Sequence, residues 1–133
     1  MHCPDCGVRT VVFAVPEEFE ECVPGTTPAV GLCPRCLGLF PADSSRDSVP
    51  ADPPFEEISD SFPSNPDAAV AMALLVGLLE NLALYRSEIS QLLERVERAG
   101  TDPLLVLDRL ATDPDVETDL ELRGRRRQLE QLL

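Results

Sequence analysis

Two Cys-x-x-Cys turns lie near the start of the chain, Cys3-Pro4-Asp5-Cys6-Gly7 and Cys33-Pro34-Arg35-Cys36, separated by the 26 residues from Gly7 to Leu32. This pairing restricts the possible folds more than any other feature. A two-residue spacer lets one tight turn aim both sulfurs at the same ion, and two such turns supply the four thiolates that a tetrahedral, borderline-soft ion such as Zn²⁺ takes in a structural site. Proline presets φ in each turn, and Gly7 permits the open backbone that follows the first. The pattern predicts that Cys3, Cys6, Cys33 and Cys36 bind about one Zn²⁺ per chain. With four protein ligands the ion has no position left for a substrate.

The residues around the turns suit a zinc ribbon over 1–42. Arg9 to Val15 is rich in β-branched residues and stops at Pro16, as a strand would. The acidic run Glu17-Glu18-Phe19-Glu20-Glu21-Cys22 and the turn-forming Pro24-Gly25-Thr26-Thr27-Pro28 read as a loop with a solvated acidic surface. Ala29 to Leu32 then leads into the second turn, and Leu37-Gly38-Leu39-Phe40 leads out of it. A module of about 40 residues buries too little apolar surface to fold alone, so the metal acts as its staple. Two other chemistries use such cysteines. A thiol redox pair places one Cys-x-x-Cys at a helix start in an alternating β/α pattern, which is not legible here. A rubredoxin-like iron site also doubles the motif, but it gathers aromatics around the iron, and only Phe13, Phe19 and Phe40 stand near these cysteines. Cys22 falls outside both turns and reads as a non-ligand thiol; His2, the single histidine, reads as an exposed terminal side chain.

Residues 43–65 hold six acids against one Arg, with frequent Ser and Pro, and read as a linker. Phe55, Ile58 and Phe62 interrupt its polarity at helical spacing, either to dock it onto the rest of the chain or to bind a partner. Helical pattern takes over for 66–133. Ser64-Asn65-Pro66-Asp67 is a start signal and Gly100 a stop. Between them Ala68, Ala71, Leu75, Leu78, Leu82, Tyr85, Ile89, Leu92, Val96 and Ala99 form a heptad-like seam, which predicts one helix of about 50 Å. Thr101-Asp102-Pro103 and Thr112-Asp113-Pro114 repeat the start signal. They predict a short helix with Leu104, Leu105, Leu107 and Leu110 inward, then a last helix with Val116, Leu120, Leu122, Leu129, Leu132 and Leu133 inward. The fold expected is α+β: an N-terminal β ribbon followed by a helical hairpin of one long helix and a broken antiparallel return.

The stretch Ala68–Leu79 is apolar on every face and must be covered on every face, by the ribbon, by the Phe55–Phe62 segment, or by a partner protein or second copy. It is too short to span a membrane. The formal charge is −13, from 24 acids against 11 arginines and no lysine, which disfavours polyanionic partners in ordinary salt. Arg123, Arg125, Arg126 and Arg127 form the one basic patch, read as helix-dipole and ion-pair partners or as contacts to nucleic-acid phosphate. No metalloprotease motif, nucleophile elbow or phosphate-binding glycine loop is present, so no enzyme is expected. With no secretory signal and with paired metal-type cysteines, a cytoplasmic location is expected.

The CPDCG and CPRC turns resemble those of the small CPxCG-type zinc-finger proteins of haloarchaea. The run LLERVERAGTDPLLVLDRLATDPD with RRRQLEQLL resembles an uncharacterised haloarchaeal family, a domain of unknown function in which a zinc ribbon precedes a helical tail. The lysine-free, acidic composition agrees with such a host, where the Debye length is about 3 Å at molar salt and net charge excludes few partners. The second turn departs from the CPxCG pattern, with Leu37 where glycine would stand. The resemblance implies an architecture and a host without implying an activity. The reading is a non-enzymatic zinc-binding adaptor. A nucleic-acid-associated regulator is the alternative, followed by a thiol redox or metal-handling protein.

Overall fold

A computed structural model describes residues 1–43, 45–118 and 120–132. Three short strands, β1 (Val11–Ala14), β2 (Ala29–Leu32) and β3 (Leu39–Pro41), form an antiparallel sheet in the order β1-β2-β3. Val11 pairs with Leu32 and Leu32 with Leu39, so one register joins all three strands where the second Cys-x-x-Cys turn departs. Four α-helices follow among the described residues: α1 (Pro66–Leu78), α2 (Arg86–Arg98), α3 (Pro103–Thr112) and α4 (Leu122–Glu130).

The start signals act as their side chains require. Asn65 Oδ1 accepts hydrogen bonds from the N–H groups of Asp67 and Ala68 at 2.9 and 3.3 Å, with Pro66 at the first helical position of α1. Asp102 Oδ1 does the same for Leu104 and Leu105, ahead of α3. Gly100 ends α2 at φ 90°, its N–H donating to Glu97 O while Thr101 N–H donates to Val96 O, the paired bonds of a Schellman cap.

The long helix expected over Ala68–Ala99 does not form. The chain leaves α-helical hydrogen bonding at Leu79–Asn81, which is a 3₁₀ turn, and reverses through Leu82–Tyr85 before α2 begins. Asn81 O accepts from both Leu84 and Tyr85 N–H, closing the turn. α2 packs back on α1, and one cleft is lined both by Asn65–Ala68 at the start of α1 and by Leu92, Arg95, Arg98 and Ala99 toward the end of α2. The seam fails because its two halves face different surroundings. α1 is buried almost all round, whereas α2 is amphipathic, with Ile89, Leu92, Leu93 and Val96 inward. A three- and four-residue repeat runs on smoothly across a reversal, so periodicity alone does not reveal one.

The Thr112-Asp113-Pro114 signal also yields no helix at once. Asp113 Oδ1 accepts from Asp115 N–H at 2.9 Å and Thr118 Oγ1 from Leu120 N–H at 3.1 Å, side-chain turns that compete with helical bonding. Glu117 N–H is taken by Arg35 O, 2.7 Å away. The last helix therefore starts at Leu122. Leu122 and Leu129 are buried, Val116, Leu120 and Leu132 pack against the core, and Leu133 lies outside the described residues. In α3, Val106, Leu107 and Leu110 face inward while Leu105 is 48% exposed, opposite to the inward position expected for it.

α1 is the centre of the core. Ala68, Ala69, Ala71 to Val76, Leu78 and Leu79 are all buried within the single chain, which accounts for the apolar pattern without a second copy. One cluster joins all of these except Ala68 to Val11, Phe13, Val30 and Leu32 of the sheet and to Phe55, Ile58 and Phe62. Those three side chains dock the 43–65 segment: the Phe13 and Phe55 rings lie 5.7 Å apart and tilted, and Phe62 stacks on Phe55 at 6.2 Å. Gly77 lets the sheet approach, since a Cβ there would stand 3.0 Å from Leu39 Cβ. The accessible surface of 7123 Å² is close to the roughly 6,900 Å² expected of a folded 14.5 kDa monomer.

Candidate metal centre

The two Cys-x-x-Cys turns fold alike. In the first, Gly7 N–H donates to Cys3 O at 2.9 Å and Cys3 N–H to Val8 O at 2.8 Å; in the second, Leu37 N–H donates to Cys33 O and Cys33 N–H to Gly38 O, both at 2.9 Å. Each leading sulfur accepts a backbone N–H at 3.4 Å, Cys3 Sγ from Cys6 and Cys33 Sγ from Cys36. The residue after each second cysteine is left-handed, Gly7 at φ 74° and Leu37 at φ 61°. Glycine takes this conformation freely, while leucine pays about 1–2 kcal/mol for it. Leu37 is 3% exposed and belongs to the core cluster, so its side chain is what the departure from CPxCG supplies.

β1 and β2 bring the turns together, and the sulfurs of Cys3, Cys6, Cys33 and Cys36 all lie within 4.8 Å of one another. Four sulfurs each about 2.3 Å from one ion at tetrahedral angles stand about 3.8 Å apart. Cys3 Sγ and Cys36 Sγ are 3.8 Å apart. The donor set fits Zn²⁺ in charge, softness and size. Cys3 and Cys33 are buried, and Cys6 and Cys36 are half-buried, so one edge of the cluster reaches the surface.

Electrostatics within the cluster is uneven. Desolvation raises the Cys3 thiol, but hydrogen bonds from the backbone of Cys6 and Asp5 and from the neighbouring sulfurs outweigh it and leave the group below its ordinary value. Desolvation pushes Cys6 and Cys36 up. A cation bound by these thiols would have to displace their protons.

The other singled-out residues stand apart from this cluster. Cys22 is buried at the end of a 3₁₀ helix, Glu17–Cys22, and its thiol is raised by burial and then by Glu88 and Glu21, the setting of an inert thiol. The acidic run is thus not wholly a solvated loop. Phe19 is buried, Glu18 pairs with Arg95, and the Arg95 guanidinium lies 5.0 Å over the Phe19 ring. His2 is exposed and bridges to Arg9. Arg126 is paired with Asp108 at 2.6 Å and with Glu130, and Arg125 donates to Gln128 Oε1 at 3.1 Å. No helix among the described residues is long and apolar enough to cross a membrane.

Two supports of the centre were not legible in the sequence. Thr10 is buried, and both its N–H and its Oγ1 bond to Met1 O, tying the chain start beside the first turn. The Glu117–Arg35 bond ties the α3–α4 connection to the second turn. The second rests on backbone groups alone, which leave no mark on residue type, and the first adds only a threonine hydroxyl to a backbone bond.

Fold and site together define an α+β protein in which a small antiparallel sheet carries a four-cysteine metal-type centre and helices complete the core. The chain belongs to a family of unknown function, DUF6276, whose model matches residues 2–133. No curated protein and no solved structure matches it.

Proposed function

We propose that this chain is a non-enzymatic zinc-binding adaptor, in which a structural Zn(Cys)₄ centre holds the ribbon of residues 1–42 against a helical part that presents a surface to a partner protein. The observation that carries the reading is the four-sulfur cluster, whose spacing suits one tetrahedral ion. Four thiolates complete such an ion, and that supports a structural rather than a catalytic role. The free, unbridged cysteines suit a cytoplasmic setting, and the acidic, lysine-free surface suits a halophilic host.

Elemental analysis of the purified chain tests the metal: about one zinc per chain is expected. Red protein would assign iron instead, and zero metal with all thiols titratable would overturn the site. Co-purification from the native host in high salt tests the adaptor. A discrete protein partner that survives nuclease treatment supports it, and partners lost on nuclease treatment would favour the nucleic-acid-associated alternative.

A further inference from the structure

From Asn65 onward, three sites carry the same helix-start signal, an Asn or Asp followed by Pro: Asn65-Pro66, Asp102-Pro103 and Asp113-Pro114. At all three the capping oxygen accepts from the N–H two residues on, Asp67 at 2.9 Å, Leu104 at 3.0 Å and Asp115 at 2.9 Å. The first two sites then close an α-helical turn on the cap's own carbonyl. Ala69 N–H donates to Asn65 O at 2.9 Å, and Val106 N–H donates to Asp102 O at 3.3 Å. At the third site the corresponding donor is Glu117 N–H, and it goes to Arg35 O instead, 2.7 Å away. Asp113 O is left with the tighter bond from Val116 N–H at 3.2 Å, and α4 starts only at Leu122.

The acceptor that diverts Glu117 lies inside the candidate metal centre. Arg35 stands between Cys33 and Cys36, in the turn closed by Leu37 N–H on Cys33 O and by Cys36 N–H on Cys33 Sγ. The position of Arg35 O is thus set by the turn that the four-sulfur cluster holds. Two backbone bonds of similar worth compete for one N–H, so a modest change in the turn decides between them. With the turn released, the local sequence offers Glu117 N–H the carbonyl of Asp113. Pro114 presets the first helical φ, Asp113 is already engaged as a cap, and Asp115 and Glu117 put acids in the first turn, where the helix dipole favours them.

We propose that the α3–α4 connection is a two-state element governed by the metal centre. With the centre loaded, Glu117 N–H is held by Arg35 O; with it empty, the same N–H closes a helical turn on Asp113 over Pro114–Glu117. The proposal rests on the zinc-adaptor reading and adds to it that the helical part changes conformation with metal. Because the two ends of such a coupling act on each other equally, losing the Glu117–Arg35 bond must weaken metal binding.

The test uses the full-length, isotope-labelled chain, assigned by NMR with zinc bound and again after a chelator has withdrawn it. On withdrawal the Cα shifts of Asp115, Val116 and Glu117 should move to helical values while those of Leu104 and Leu105 in α3 stay helical. Random-coil values at Asp115–Glu117, or shifts that do not move although zinc has been lost, would overturn the proposal. In chelator competition Glu117→Pro, which removes the donor, should hold zinc about two- to tenfold more weakly than the parent, and Glu117→Ala, which keeps it, should match the parent within about twofold. Equal affinity in the parent and a folded Glu117→Pro variant would also overturn it; should that variant not fold, the shift comparison decides alone. These failures would leave the zinc adaptor standing, whereas a parent that takes up no zinc would remove the adaptor reading and this proposal with it.

Discussion

Replacing Leu37 with glycine sets two effects of known sign against each other at one residue. The left-handed backbone, φ 61°, costs leucine about 1–2 kcal/mol, and glycine would recover that, as Gly7 does at φ 74° in the first turn. Leu37 is also 3% exposed within the core cluster. Truncating such a leucine to alanine costs about 2–5 kcal/mol, and going on to glycine adds roughly 0.5–1 kcal/mol of backbone entropy. Burial wins: Leu37→Gly should destabilise the zinc-loaded protein by about 0.5–5 kcal/mol. With a urea m-value of about 1.5 kcal/mol/M, a mid-range loss of about 2.7 kcal/mol moves the midpoint down by roughly 1.8 M. Urea unfolding followed by circular dichroism at fixed zinc measures it. A midpoint equal to or above that of the parent would refute the reasoning, for it would mean that the turn's strain outweighs what the side chain buries. Gly7→Ala isolates the strain, since nothing lies within 4 Å of a Cβ there, and it should cost about 1 kcal/mol.

Three further outcomes follow from the same geometry. Serine at Cys3, Cys6, Cys33 or Cys36 should abolish stoichiometric zinc in elemental analysis. Cys22→Ala should retain it and cost about 1 kcal/mol, and loss of metal in that variant would make Cys22 a ligand. Because burial raises the thiols of Cys6 and Cys36, zinc must displace their protons. Affinity should therefore fall as pH falls, and chelator competition at several pH values should show proton release on binding; an affinity independent of pH would refute the assignment. Gly77→Ala gains about 1 kcal/mol of helix propensity but pushes its methyl to 3.0 Å from Leu39 Cβ, and Gly77→Val pushes further. Thermal unfolding should show valine several degrees below parent and below alanine, and a valine variant as stable as the parent would refute the close helix–sheet approach.

What the chain determines by itself is local. The spacing of two cysteines sets the shape of each turn, and Asn65-Pro66, Asp102-Pro103 and Gly100 place helix ends because their own side chains or backbone freedom satisfy the bonds found there. The all-apolar run of α1 demanded burial on every side, and burial is what it has. Tertiary structure alone decided what that burial consists of. The reversal at Leu79–Tyr85 keeps the apolar repeat of a continuous helix, so the repeat does not mark it, and only the packing of α2 back on α1 does. Glu117 gives its N–H to Arg35 rather than to a helix, a choice between two bonds of similar worth that the distant turn settles. At Leu37 both levels meet: the Cys-x-x-Cys turn calls for a left-handed residue, and the core laid against it repays the strain of making that residue leucine.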